Sequence, residues 1–321
     1  MTEFDAIAQY FRWPTPQAAL GPGDDAALLQ VPPGQNLAIS TDMLVAGRHF
    51  FADADPHAIG HKALAVNLSD LAAMGAQPVG FTLALALPEL QPEWLSAFAQ
   101  GMRALAQSHG CELIGGDTTA GPLTIGITVL GHVPAGLALR RDRAQVGDDI
   151  YVSGSLGDAR LALMLRLGQS TACLPEIEQD WVNARMDRPT PQVPLGLALR
   201  GIAHAAMDVS DGLAGDLLHI LRASAVGASV HMAQLPLSRA LRRLPAASAQ
   251  AMAANGGDDY ELLFTAPVPM RRTVAEIAAQ LGIDITPIGT IEARPGLRLL
   301  DTHGVDHSAK LHGFDHFRGH S

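Results

Sequence analysis

The sequence predicts two domains, mixed α/β in the first half and α+β in the second. Three observations carry that prediction. The chain has 321 residues, more than one average hydrophobic core organises. Its apolar residues switch repeatedly between the period of a strand and that of a helix. The pattern breaks near the middle at Val133-Pro134-Ala135-Gly136, which sets domains of 1–136 and 137–321. Hydrophobic residues make up 48% and charged residues 17%, a composition that folds along its whole length.

In order, the first half predicts an amphipathic helix near Phe4–Phe11 and strands at Ala26–Val31 and Leu37–Thr41. An apolar segment, His61–Met74, reads as a buried helix because it leaves almost no polar face. Strand Val79–Leu87, helix Pro92–Ser108 and strands near Glu112–Ile114 and Leu123–Val133 complete that half. The second half predicts strand Ile150–Ser153 and helix Leu156–Leu167, then helices near Glu178–Met186 and Leu195–Ala203. Strand Ala205–Val209, helix Leu213–Ala223, strands Ala228–Met232 and Tyr260–Thr265, helix Arg271–Leu281 and closing strands to Leu300 follow.

Composition also excludes partners. A formal charge of −10 argues against nucleic acid and anionic membranes, since an acidic surface releases no counterions from either. The most apolar stretch, Val79–Pro88, is about half of what a bilayer requires, so no span is expected. Two cysteines, Cys111 and Cys173, cannot build a disulfide framework, and residues 1–13 carry no apolar leader; a cytoplasmic location is expected.

What remains is a series of acidic turns beside strand ends. Gly21-Pro22-Gly23-Asp24-Asp25-Ala26 is either a solvated loop or a source of carboxylates. Ser40-Thr41-Asp42 sets three oxygen-bearing side chains between apolar runs, where a helix cap and a site for a hard cation are both open readings. On the buried helix, Asn67 and Asp70 are three residues apart and share a side; a carboxylate there needs either a cationic partner or a metal. Gly115-Gly116-Asp117, Asp208-Val209-Ser210-Asp211 and Gly256-Gly257-Asp258-Asp259-Tyr260-Glu261 repeat the pattern. Gly147-Asp148-Asp149 reads as a plain turn. Two carboxylates about 4 Å apart repel by about 4 kcal/mol at an effective dielectric of about 20, so convergence of these groups calls for cations such as magnesium. Such cations also let an acidic protein hold a polyphosphate. Neither the P-loop signature nor the protein-kinase set is present.

The ordered set GPGDDAA, AISTDMLVAGRHF, KALAVNLSDLAAMGAQP, LIGGDTT, GDDIYVSGSLGDA, MDVSDGL and GGDDYELLFT resembles the thiamine-monophosphate kinases, from Gly21 to about Phe317. The resemblance implies the two-domain aminoimidazole-ribonucleotide-synthetase-like fold, with an N-terminal domain that forms a β-barrel across a homodimer and a C-terminal α+β domain. It implies ATP-dependent conversion of thiamine monophosphate to thiamine diphosphate, the last step of that cofactor's synthesis, with several magnesium ions. Matched motif by motif, Asp25, Ser40, Thr41, Asp42, Asp70, Asp117, Asp208 and Asp211 are the implied metal ligands. Asp42, Asp70, Asp117 and Asp208 are implied to be central to catalysis, and Gly116, Asp117, Arg141 and Ser210 to contact ATP. His49, Asp258 and Leu311 are the implied contacts to thiamine monophosphate. The sequence departs from the family pattern twice: Asp258 stands where relatives often have Glu, and Leu311 where an aromatic residue is usual, with His312 and Phe314 nearby. A phosphatase or a nucleotide-binding regulator built on the same site are the alternatives from other classes.

Overall fold

A computed structural model describes residues 2–308 of the chain, which divide into two compact units. The first comprises Met1–Ala138 with Asp187–Val193, the second Leu139–Met186 with Pro194–Ser321.

The first unit opens with a short helix α1 (Glu3–Ala6) that runs on as a π-helical turn, Ile7–Phe11. Strand β1 (Gln35–Val45), helix α2 (Pro56–Ala73), strand β2 (Gln77–Leu87), helix α3 (Pro92–Ser108) and strands β3 (Glu112–Ala120) and β4 (Thr124–Pro134) follow. Among the described residues its four-stranded sheet has the order β1-β4-β2-β3, with β2 and β3 parallel and the other pairs antiparallel. The sheet is open. No closed barrel forms within the described residues of one chain, because β1 and β3 remain its edges.

Helix α2 starts where the sequence supplies a cap, Asp55 accepting the His57 N–H, followed by Pro56 in the first turn. Fourteen of its eighteen residues are buried, which follows from its place between α3 and the sheet. Two glycines set the α2–α3 spacing. A Cβ on Gly60 would stand 2.0 Å from the Phe98 carbonyl oxygen, and one on Gly101 only 1.9 Å from that of His57. Gly101→Ala is therefore expected to cost about 3 kcal/mol, the upper end of ordinary overpacking, read as a lower urea midpoint.

The second unit contains β5 (Asp149–Ser153), α4 (Asp158–Arg166), α5 (Glu176–Asp187), α6 (Val193–Ala198), β6 (Ala205–Asp208), α7 (Leu213–Ser224) and β7 (Gly227–His231). It closes with α8 (Ala246–Asn255), β8 (Leu262–Ala266), α9 (Arg271–Leu281), β9 (Ile285–Glu292) and β10 (Gly296–Leu300). Its strands form one mixed six-stranded sheet, β10-β7-β9-β5-β8-β6, among the described residues. Ile150, Val152, Met207, Val230, Leu263 and Ile288 turn one face of that sheet toward Leu213, Leu217 and Ile220 of α7. Tyr151 and Phe264, paired across β5 and β8, stack at 5.1 Å.

Several expectations differ from the structure, and one helix was not expected; α6 ends at Ala198, short of the expected Ala203. Ala26–Val31 forms no strand: Leu28 makes only an isolated bridge with Leu20, and Leu28 and Val31 stay exposed. Pro32 and Pro33 follow directly, and a proline has no N–H to contribute to a ladder. Helix α8 escaped the periodicity because its Ala-rich run carries no distinct apolar stripe. Asp148 and Asp149 are not a plain exposed turn. Asp148 is buried, accepting from the Gln145 N–H, the Thr265 hydroxyl and His204 Nδ1, while Asp149 forms a two-pronged pair with Arg271. That pair holds the Asp149 carboxyl below the usual carboxylate range. No described helix is long and apolar enough to cross a membrane.

Candidate functional site

In the first unit, β1 and α2 bring the Ser40-Thr41-Asp42 motif to Asp70. The Ser40 hydroxyl donates to Asp70 Oδ2 at 2.5 Å. Asp42 donates its backbone N–H to Asn67 Oδ1 at 3.0 Å, one helical turn before Asp70. Alternation along a strand sends Thr41 the other way, and its hydroxyl meets Thr128 on β4 at 2.8 Å. At the end of β1, the Val45 N–H donates to Nδ1 of His49, just past the strand, at 2.9 Å, which leaves the ring proton on Nε2.

Gly116 and Asp117 occupy β3, the opposite edge of the same sheet. Asp42 and Asp117 are separated by β4 and β2, on the order of 14 Å along the sheet, so this unit does not bring those two carboxylates together. The glycine at 116 has a backbone reason: its φ is +151°, and a Cβ would lie 2.0 Å from the Leu83 carbonyl oxygen. Gly116→Ala is expected to break the β2–β3 pairing beside Asp117 and to cut turnover at least about tenfold, by dislodging a positioned group; a steady-state assay checks this. Asp25 lies exposed in the loop before β1, its N–H donating to Asp24 Oδ1.

In the second unit two motifs meet. Asp208 ends β6 and is buried, opposite Leu262 of β8. The Ser210 and Asp211 N–H groups donate to Asp216 Oδ2 at 2.9 and 3.1 Å. Burial, reinforced by the Asp211 charge, pushes the Asp216 carboxyl up to about 7. Against this turn lies the Gly256–Glu261 segment: the Asp258 N–H donates to the Ser210 carbonyl, and that of Tyr260 to the Val209 carbonyl, both at 2.8 Å. Asp258 and Tyr260 adopt positive φ, +66° and +50°, which is unfavourable for side chains of their size.

A buried polar cluster holds that strained segment. Arg185 on α5 donates through Nη2 to the Asp259 carbonyl at 2.7 Å and to Glu261 Oε1 at 2.8 Å. The Ser153 hydroxyl meets Glu261 Oε2 at 2.5 Å, and the Gly157 N–H is shared by both Asp259 oxygens. Asp259 is fully buried, and that burial raises its carboxyl well above the usual range in spite of the Arg185 charge. Asn67, Arg185, Asp216, Asp259 and Glu261 are thus residues that support the site without being among those expected to touch ligand. Asn67 and Glu261 had a signal in the motifs themselves. Arg185, an isolated cation on a helix, had none.

Arg141 lies exposed in a 3-10 turn whose carbonyl accepts from Ser224. Leu311, with His312 and Phe314, lies outside the described residues. Among the described residues, no three His, Cys, Asp or Glu side chains gather into a group able to hold a metal. The donors that do meet around α2, the Ser40 hydroxyl and the Asp70 carboxylate, are hard oxygens with Asp42 anchored beside them. They fit magnesium and would not suit a soft metal.

Comparison with known proteins supplies the lineage. The AIR synthase related protein N-terminal domain matches residues 23–133, and its C-terminal counterpart matches 145–302. The thiamine-monophosphate kinase of Salmonella typhimurium is 46% identical over 320 residues, covering 98% of each chain. The crystal structure of thiamine-monophosphate kinase from Stenotrophomonas maltophilia is 47% identical with a TM-score of 0.84, covering 92% of this chain and 93% of that one. AaThiL, solved in complex with AMPPCP and TMP, is 31% identical with a TM-score of 0.77, covering 92% of this chain and 91% of its own. With both domain models matched in order and relatives this close over nearly all its length, the chain belongs to the thiamine-monophosphate kinase family of AIR synthase related proteins.

Proposed function

We propose that this protein transfers the γ-phosphoryl group of ATP to thiamine monophosphate, giving thiamine diphosphate and ADP. The observation that carries it is the likeness, over 92% of this chain, to AaThiL, whose structure is a complex with AMPPCP and TMP. The acceptor is a phosphate monoester, with a second ionisation near pH 6, so it is largely dianionic at neutral pH and requires no general base. Its oxygen attacks the γ-phosphorus in line as the bond to the ADP oxygen breaks. The protein's task is then to align two anions and offset their charge.

Asp25, Ser40, Thr41, Asp42, Asp70, Asp117, Asp208 and Asp211 are proposed to hold magnesium. When bound, magnesium supplies the positive charge that the polyphosphate oxygens need. Gly116, Asp117, Arg141 and Ser210 are assigned to ATP, and His49, Asp258 and Leu311 to thiamine monophosphate. Support for Asp258 comes from its strained backbone, a state found preferentially at functional positions. Residues 1–136 are assigned metal binding, nucleotide binding and dimerisation, and 137–321 the α+β partner domain. A cytoplasmic location fits the two unpaired cysteines.

Dimerisation through a shared barrel is part of the same proposal. Ile39 and Met43 of edge strand β1 are 60% and 61% exposed, two apolar side chains on one face of an unpaired sheet edge that a partner chain would cover. Incubation with ATP, magnesium and thiamine monophosphate tests the activity. Thiamine diphosphate with ADP supports it, whereas free phosphate alone identifies a phosphatase, and unchanged substrates a regulator.

A further inference from the structure

We propose that Asn67 is a positioning residue, which sets the place of Asp42 relative to Asp70 and so tunes metal affinity without touching the metal. The inference rests on the reading above that Asp42 and Asp70 are metal ligands. Asn67 is completely buried in α2, and both ends of its amide are engaged. Nδ2 donates to the Ala63 carbonyl at 2.9 Å, one turn back on the same helix, which fixes the side chain's rotamer. Oδ1 is thereby aimed at the Asp42 N–H, 3.0 Å away.

The arrangement works as a two-rung clamp. Strand β1 is a sheet edge, so half of its backbone groups face away from β4. Asn67 takes the N–H of Asp42, and Asp70, three residues further along the helix, takes the hydroxyl of Ser40. Positions 40 and 42 lie on one face of the strand, and positions 67 and 70 on one side of the helix. The rigid helix therefore dictates the spacing of the two carboxylate-bearing residues. Asparagine suits the post better than its neighbours in chemistry. Leucine would leave the Asp42 N–H unsatisfied. Aspartate would lose the donor to Ala63 and add a third negative charge beside Asp42 and Asp70.

The test uses the full chain, with Mn2+ alone as the probe. Asn67→Ala is expected to weaken Mn2+ binding, measured by calorimetry, by about 10–100-fold, as outer-shell partners of metal ligands do. In the metal-free protein, exchange of the Asp42 amide should accelerate at least about tenfold while amides elsewhere in the sheet are unchanged. Leu64→Ala, a fully buried position on the same helix, is the control: it lowers the melting midpoint and leaves Mn2+ affinity within about threefold, since leucine offers no polar group to Asp42 or Asp70 and its loss is a packing term. If Asn67→Ala does not fold, Asn67→Ser with its smaller acceptor carries the same comparison. Wild-type Mn2+ affinity in the Asn67 variant, with Asp42→Asn severely impaired, overturns this inference alone. Wild-type affinity in Asp42→Asn overturns the metal reading beneath it.

Discussion

Asp42→Asn is expected to lower kcat by at least about a hundredfold at saturating ATP and magnesium, roughly 3 kcal/mol of barrier, while the thermal midpoint moves little. The side chain keeps its shape and loses its charge. The backbone stays in place because the Asp42 N–H remains bonded to Asn67, and β1 remains paired to β4 through an eleven-residue register. What is removed is one of the carboxylates proposed to hold the cations that offset the triphosphate. Steady-state kinetics beside a circular-dichroism melt separates the two effects. Near-normal kcat with an intact fold would remove Asp42 from the mechanism.

Arg185→Met is expected to have the largest effect on stability, about 3–5 kcal/mol, because it strands a buried acid beside an already buried neighbour. Arg185 is 8% exposed, Glu261 2% and Asp259 not at all. The guanidinium supplies one donor to Glu261 and one to the Asp259 carbonyl. Methionine fills most of the volume and replaces neither. The strained backbone at Asp258 and Tyr260 then loses one of the contacts that hold it, so KM for thiamine monophosphate should rise in whatever fraction still folds. Adding Glu261→Gln to Arg185→Met should recover part of the stability, since the uncompensated acid is gone. Urea midpoints of the single and double variants check both statements; a double variant no more stable than the single would contradict the electrostatic account.

The sequence was most legible where period and burial agree. Helix α3 and helix α9 span the residues that their apolar stripes predict, Pro92–Ser108 and Arg271–Leu281. β4 alternates buried and half-buried residues along its whole length, and its outline followed from that alternation. The Asp motifs were legible as polar interruptions of apolar runs, and Ser40 with Asp70 do meet, but Ser40–Asp42 and Gly115–Asp117 lie inside β1 and β3 rather than in turns at strand ends. Long-range register was not legible. Nothing local says that Asp117 sits on the far edge of the sheet from Asp42, because the place of β1 is decided by its pairing with β4 across some 90 residues of chain. Nor was the return of Asp187–Val193 to the first unit, which depends on tertiary contacts such as His61 Nε2 to the Pro189 carbonyl at 2.9 Å. The Arg185 cluster was hidden for the same reason: its members come from α5, β5 and the segment before β8, and only the fold assembles them.

Transfer of the γ-phosphoryl group from ATP to the phosphate of thiamine monophosphate is tested most directly with ATP labelled in its γ-phosphate. With thiamine monophosphate and magnesium present, the label is expected in the terminal phosphate of thiamine diphosphate, one equivalent for each ADP formed. Label appearing instead in free phosphate, with thiamine monophosphate unchanged, would contradict it.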